Sequence, residues 1–401
     1  MFNGFVGRIP IYDRRLNLFA YDLKVCGIES SSRGTETENT REPADNAVIR
    51  ASEEIVLADL VGRICGFLDV PDTLLNRVGD LCWPKEQVIL RISAMARSKD
   101  RSEYIRDLSN AGYKIAIEGN SQTFDALQDA RFASVCSIDV ARNLPGAGTF
   151  ISRLHGQGVK LFARNIGSPA QYEQLQTLGF DLFQGKYFEQ PKSVKHSFIA
   201  ANKSAVLELL ARFNDPELTI QEVETLITKD VTLSYKLLRL INTAYFGIPK
   251  RIESIRRAVV FFGLERIKNW ASVIVFNAIE YQPNELMTTA LVRARTCEIL
   301  AEKLGRQRIE SYFVSGLFST LDAIIDLPMP VIVEQLRLSE EICAALLDGS
   351  GPIGELLTGF LAIENGACCR TFSRLLTNGL AMDAYTHAIR WVNALNHAIA
   401  D

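Results

Sequence analysis

The chain is poor in the residues that usually carry hydrolytic or metal chemistry. It has only four histidines in 401 residues, and its eight cysteines contain no Cys-x-x-Cys spacing. A zinc site of the usual ligand spacing is therefore excluded as an expectation. Apart from the adjacent Cys368 and Cys369, the cysteines are scattered, and they are expected to be buried, reduced and structural. No Ser-His-Asp nucleophile elbow, P-loop or glycine-rich dinucleotide fingerprint is present. No run of Lys or Arg marks a nucleic-acid stripe, and the formal net charge is −3. The longest apolar stretches, such as Ala258 to Leu264 and Ala271 to Phe276, fall far short of the ~20 residues that span a bilayer. The N-terminus lacks the charged and apolar regions of a secretory signal. The expectation is a cytoplasmic protein with no membrane and no nucleic-acid partner.

What is present is enough apolar material for two cores. Hydrophobic residues make up 47% of the chain, and its length suggests two domains. From Val88 to Gly185, short apolar strands alternate with amphipathic helical stretches. Strands are expected at Val88 to Ile92, Lys114 to Ile117, Val135 to Ile138, Val159 to Ala163 and Asp181 to Phe183. Helices are expected near Asp100 to Ala111, Gln122 to Ala130, Leu144 to His155 and Ala170 to Leu178. This alternation implies a parallel sheet covered by helices. With strands at Phe5 to Ile9 and Leu18 to Tyr21, a barrel fits, and barrels place their chemistry at the carboxyl ends of the strands. Residues 29–43 read ESSSRGTETENTREP, without one apolar side chain, which predicts a mobile surface loop.

After Pro191 the pattern becomes helical. Thr219-Ile220-Gln221-Glu222 has capping-box spacing and opens a helix with Ile220, Val223, Leu226 and Ile227 on one face. A second helix carries Leu233, Leu237, Leu240 and Ile241 and is broken by Phe246-Gly247-Ile248-Pro249. Ser254 can cap the next helix and Gly263 can end it in a left-handed conformation. Helices continue to the end, including Ala381 to Ala400. The expected fold class is α/β plus all-α, with an N-terminal domain over residues 1–195 and a helical domain over residues 196–401.

Several motifs carry a resemblance. Tyr21-Asp22-Leu23, Ile115 to Gly119, Ser137-Ile138-Asp139, Phe162-Ala163-Arg164 and Leu182 to Gly185 stand in order and resemble the strand-end motifs of EAL domains. Those are TIM-like barrels that act as metal-dependent cyclic-di-GMP phosphodiesterases. Asp230 to Ala244 and Ile252 to Val259 resemble the HDOD domain, a metal-free helical relative of HD phosphohydrolases. Gly316 to Ala323 and Asp326 to Met329 resemble the HDOD half of fused EAL–HDOD proteins. Between them the resemblances cover nearly all of the chain.

Carried over residue by residue, the EAL resemblance implies a degenerate site. The motif glutamate falls at Asp22, and the arginine closing that motif falls at Cys26. The family glutamine falls at Ile9, and the asparagine ligand at Asp69. An acidic ligand falls at Arg91, and the second acid of that motif at Ala94. The paired aspartates fall at Glu118 and Gly119, and the lysine at Ser137, with Asp139 retained. A later glutamate falls at Arg164, while Gln184 and Gly185 survive. A cation at a ligand position repels a divalent ion. Two unit charges ~4 Å apart interact by roughly 4 kcal/mol at an effective dielectric of 20, and a divalent ion doubles that. No bound metal and no cofactor are expected. Arg91 and Arg164 either neutralise leftover acids such as Asp22, Glu118 or Asp139, or hold a phosphate without metal.

The HD metal pair falls at Ser319-Thr320, and His155, His196, His387 and His397 lie outside the motif positions. Asp322, Asp326, Glu298 and Glu302 are acids without imidazole partners, read mainly as surface groups. The resulting expectation is a non-enzymatic signalling scaffold linked to cyclic-di-GMP pathways of motility, biofilm or virulence. Its partners would be proteins, docked near Lys236, Arg239, Asn242 and Tyr245, with a homodimer also open. A metal-independent cyclic-di-GMP receptor and a weak phosphodiesterase are the alternatives.

Overall fold

The computed structural model describes residues 2–27, 44–93, 101–119, 132–141, 148–191, 201–243, 248, 251–277, 283–336, 338–367 and 379–400. The segment at 29–43, the helix expected at 122–130, Ala94, Tyr245, most of the 246–249 turn and the pair at 368–369 lie outside the described residues.

Eight strands close into a barrel in chain order: β1 (Gly4–Asp13), β2 (Leu18–Gly27), β3 (Cys65–Val70), β4 (Val88–Ser93), β5 (Lys114–Glu118), β6 (Val135–Asp139), β7 (Lys160–Arg164) and β8 (Leu182–Phe183). β1 is antiparallel to both its neighbours, and the other pairs run parallel. The parallel sheet expected from Val88 to Gly185 forms, while a tight connection turns β1 back onto β2. β3 was not expected from the sequence at all. Its segment, Cys-Gly-Phe-Leu-Asp-Val, carries a Gly and an Asp that dilute the strand pattern, and only pairing between β2 and β4 fixes it.

Side chains alternate along a strand, so one face of each strand points into the barrel. Ile11, Ala20, Phe67, Ile89, Ala116, Val135, Phe162 and Leu182, one from each strand, form a single buried hydrophobic layer. That layer is the floor beneath the candidate site. Outside the strands lie α1 (Ala44–Glu54), α2 (Leu57–Val61), α3 (Arg101–Asn110), α4 (Gly148–Gly156) and α5 (Pro169–Thr177). α5 starts where Ser168 accepts a hydrogen bond from the Gln171 amide at 3.3 Å, with Pro169 in its first turn.

Beyond Pro191 every described element is helical: α6 (Ala201–Phe213), α7 (Ile220–Lys229), α8 (Val231–Ile241), α9 (Ile255–Phe262), α10 (Leu264–Asn277), α11 (Glu285–Lys303), α12 (Ile309–Phe318), α13 (Leu321–Ile325), α14 (Met329–Gln335), α15 (Glu340–Asp348), α16 (Gly351–Glu364) and α17 (Leu380–Ala400). The Thr219 capping box forms as its spacing predicts. Ser254 accepts from the Arg257 amide at 3.2 Å, and Gly263 ends α9 at φ 88°. No helix among the described residues is long and apolar enough to cross a membrane.

The chain divides into two compact units. The first comprises Met1–Glu189 with Leu361–Met382, and the second comprises Gln190–Phe360 with Asp383–Asp401. The units are therefore not the two contiguous segments expected from the sequence, because a late stretch packs with the barrel. Within the first unit the Val6 amide lies 3.3 Å from Met382 Sδ. A Cβ on Gly7 would sit 2.1 Å from the Glu364 carbonyl oxygen.

In the second unit α11 and α12 approach closely at Gly316, where a Cβ would lie 2.6 Å from Ala294 Cα. Backbone cannot yield as a flexible side chain can. Gly316→Ala should lower stability by about 1–3 kcal/mol, as overpacking of a filled core does. Urea denaturation of the variant checks this through its midpoint.

Candidate functional site

Two residues beyond the hydrophobic floor, the alternation brings a second inward layer of side chains. Asp22 follows Ala20, Asp69 follows Phe67, Arg91 follows Ile89 and Glu118 follows Ala116. Ser137 follows Val135, Arg164 follows Phe162 and Gln184 follows Leu182. Ile9 closes the ring, paired with Asp22 across the β1–β2 ladder. Asp139 lies one further inward step along β6, and Cys26 two further along β2. The sequence-predicted positions thus come together at the carboxyl ends of the strands.

The centre of this layer is an arginine. Arg91 is wholly buried, and its Nε donates to Asp69 Oδ1 at 2.5 Å. Its Nη2 donates to Asp22 Oδ1 at 2.9 Å. The other Asp22 oxygen, Oδ2, accepts from Gln184 Nε2 at 3.2 Å and faces Lys24 Nζ at 3.0 Å. Lys24 also reaches Asp69 Oδ2 at 3.3 Å. On the opposite wall Arg164 Nη1 donates to Glu118 Oε1 at 2.7 Å. Burial opposes ionisation of Asp22, and the charges of Arg91 and then Lys24 outweigh it, holding the carboxyl below its ordinary range. Asp69 is held low by the same balance, and burial of Arg91 is outweighed by its two carboxylates, which raise its pKa.

Lys24 was missed in the sequence reading. The signal that could have found it is its spacing: it stands two residues after Asp22 on the same strand face. Three buried polar atoms of this region, Arg91 Nη1, Arg164 Nε and Ser137 Oγ, have no protein partner. A cavity of about 480 Å³ opens over the layer, lined by Lys24, Asp69, Arg91, Ser93, Glu118 and Arg164 among others.

The residues present do not fit the divalent cations that EAL chemistry uses. Both oxygens of Asp22 and of Asp69 are engaged by cations or by Gln184. Among the described residues, no group of three or more His, Cys, Asp or Glu side chains converges to hold a metal. Three cations, Lys24, Arg91 and Arg164, face three carboxylates, Asp22, Asp69 and Glu118, so the layer neutralises itself without a metal.

Other expectations need correction. Cys26 is disulfide-bonded rather than reduced. Cys82 is exposed rather than buried. Glu298 is not a surface group: it is buried on α11, where Arg295 Nη1 donates to it at 2.5 Å from the preceding turn. At the HD-motif positions, Ser319 Oγ donates to the Gly316 carbonyl at 2.7 Å, and Thr320 is buried. In the helical unit Asn242 is a structural clamp. Its Nδ2 donates to the Leu238 and Ile252 carbonyls and its Oδ1 accepts from the Ile252 amide. Arg239 and Asn242 both line a cleft of about 720 Å³, while Lys236 is half-buried nearby on α8.

Comparison with known proteins agrees with this two-part build. Residues 199–330 match the HDOD domain family. A Vibrio cholerae protein, CdgJ, named a cyclic di-GMP phosphodiesterase, is 28% identical over 89% of this chain and 84% of its own. The Bacillus subtilis protein YuxH, uncharacterized, is 26% identical over 98% of this chain and 99% of its own. A solved standalone EAL protein from Vibrio cholerae O395, in its c-di-GMP-bound form, is 18% identical with a TM-score of 0.35, covering 48% of this chain and 93% of that one. A closed eight-stranded barrel followed by a helical region that matches the HDOD domain family over residues 199–330 defines the class of build. The expectation that it is not an enzyme is overturned by the phosphodiesterase name of CdgJ, which resembles it over most of both lengths. That expectation equated replaced family ligands with lost chemistry, and a list of replaced positions does not decide what the remaining groups can do.

The arginine geometry sets two expected outcomes. Arg91→Ala strands Asp22 in the barrel and should cost about 3–5 kcal/mol, as breaking a buried pair does. Arg164→Ala should cost clearly less, because Glu118 remains 35% exposed and water can take over its partner's role. Thermal melting of both variants checks the ranking. Because the Asp22 and Asp69 pKa values are lowered on folding, their stabilisation is present above the unfolded carboxyl value near ~4. It is lost as pH falls through the lower folded values. Melting temperatures should therefore decline below about pH 4, less steeply in Asp69→Asn.

Proposed function

We propose that the chain is a cytoplasmic regulator in cyclic-di-GMP signalling that acts by binding a protein partner through its helical unit. The observation that carries this reading is the wholly buried Arg91 holding both Asp22 and Asp69, which commits the polar layer of the barrel to its own internal pairing. A cleft in the helical unit is open and concave, and such concavities suit peptides or helices. The link to cyclic-di-GMP rests on the EAL and HDOD parts of the chain and on its likeness to CdgJ.

Tagged full-length chain should retain the same partner after Arg164→Ala in the barrel mouth and lose it after Leu238→Asp in the helical cleft, with both variants still melting cooperatively. The reverse pattern would move the docking surface to the barrel.

A second reading, a cyclic-di-GMP phosphodiesterase, is favoured by the name of CdgJ. It expects purified full-length chain, assayed with magnesium or manganese, to hydrolyse the dinucleotide and to lose that activity in Asp22→Asn. Turnover that survives Asp22→Asn would count against the barrel mouth as its source.

A further inference from the structure

The second unit leaves an unusual surface on two consecutive helices. Eight large hydrophobic side chains are well exposed among the described residues, and four of them lie on α8 and α9: Val231 at 80%, Tyr235 at 59%, Val260 at 79% and Phe261 at 59%. Exposed apolar groups gathered in this way mark interaction surfaces rather than ordinary scatter.

α8 carries two rows. Leu233, Leu237, Leu240 and Ile241 face the core. The other row, Val231, Tyr235, Leu238 and Asn242, follows the i, i+4, i+7 spacing of a single helical face. Its last three members, with Arg239, form one side of the 720 Å³ cleft, and Arg251 and Glu253 contribute from the segment before α9. Asn242 fixes that geometry, because its amide ties the end of α8 to Ile252 on the opposite wall. The cleft is therefore preformed.

Its charge is mainly positive, with Arg239 and Arg251 in the lining against Glu253. Between Val231 and Phe262 the sequence has six basic residues, Lys236, Arg239, Lys250, Arg251, Arg256 and Arg257, against one acid, Glu253, in a chain whose net charge is −3. On α9 the exposed Val260 and Phe261 stand four residues after Arg256 and Arg257, again placing apolar and cationic groups side by side.

We propose that this face binds an acidic amphipathic helix of a partner protein, with apolar side chains seated along Val231, Tyr235 and Leu238 and its carboxylates toward Lys236 and Arg251. The inference rests on the reading that the helical unit is where partners dock, and adds the chemistry of the partner. A second copy of the chain is a poorer occupant. A two-fold interface brings the same patch against itself and would set cations against cations. An anionic membrane is also poorer, since a lipid surface takes up a projecting amphipathic face and leaves a concave cleft unfilled.

The test uses full-length chain with p-benzoylphenylalanine in place of Tyr235, irradiated in its native cells, with the cross-linked segment sequenced by mass spectrometry. A control carries the same group at Val56, on the barrel unit. The expected product is a segment of net negative charge with apolar residues at helical spacing. Cross-linking should fall about tenfold in Lys236→Glu/Arg251→Glu, a like-charge clash across the interface. It should also weaken as salt is raised. Arg251 is exposed and Lys236 half-buried, and an unchanged melting curve keeps folding out of the result.

A neutral or basic cross-linked segment, or one whose capture ignores the double substitution, overturns the acidic-helix inference while leaving partner docking at the helical unit intact. Cross-links only from position 56 overturn both. Cross-links to a second copy of the chain overturn the inference. Co-sedimentation with phosphatidylserine vesicles, lost in the double variant and unaccompanied by any protein cross-link, overturns it as well.

Discussion

The guanidinium of Arg91 is the interaction on which the barrel mouth depends. It is wholly buried, it binds Asp22 on β2 and Asp69 on β3, and it stands on β4, so it ties three adjacent strands at one level. Burying a charge is costly unless it is paired and hydrogen-bonded. Here the cost is offset by two carboxylates, with Lys24 and Gln184 completing the shell around Asp22. Removing any one member leaves the others underpaired, so the polar layer behaves as a unit.

The consequence is a division of labour inside one barrel. Beneath lies a layer of eight apolar side chains, and above it a layer in which cations and acids balance. The cavity over that layer is still lined by Lys24, Arg164, Glu118 and Ser93, so the mouth is closed to charge without being closed to space. This combination leaves space over the barrel while its acids are turned toward side chains of the protein. The helical unit offers the opposite: an open cleft whose lining includes Arg239, Arg251 and Glu253, beside exposed apolar residues on α8 and α9.

Much of this was legible in local patterns. The capping box at Thr219, the cap at Ser254 and the positive-φ stop at Gly263 are read from single residues and their spacing, because each is a local hydrogen bond or backbone preference. The apolar row of α8 follows from helical periodicity in the same way. The polar positions of the barrel were found by motif order along the chain, and Asp22, Asp69, Arg91, Glu118, Ser137, Arg164 and Gln184 each stand two residues beyond a member of the apolar floor. β3 escaped notice because Gly66 and Asp69 weaken its pattern, and Lys24 escaped because no motif contains it.

The sequence by itself determined most of the elements, β3 excepted, and which residue types stand on the inward faces of the strands, since those depend on neighbours a few positions away. Only the tertiary structure decided the pairings. Arg91 and Asp22 are far apart in the chain, and whether an arginine meets an acid, a ligand or water depends on which strands the closed barrel sets side by side. The same holds for Asn242 across the cleft and for the stretch Leu361–Met382, whose place beside the barrel no local pattern could announce. Long-range packing sets those contacts, and it alone converts a list of replaced residues into a site with a definite charge and shape.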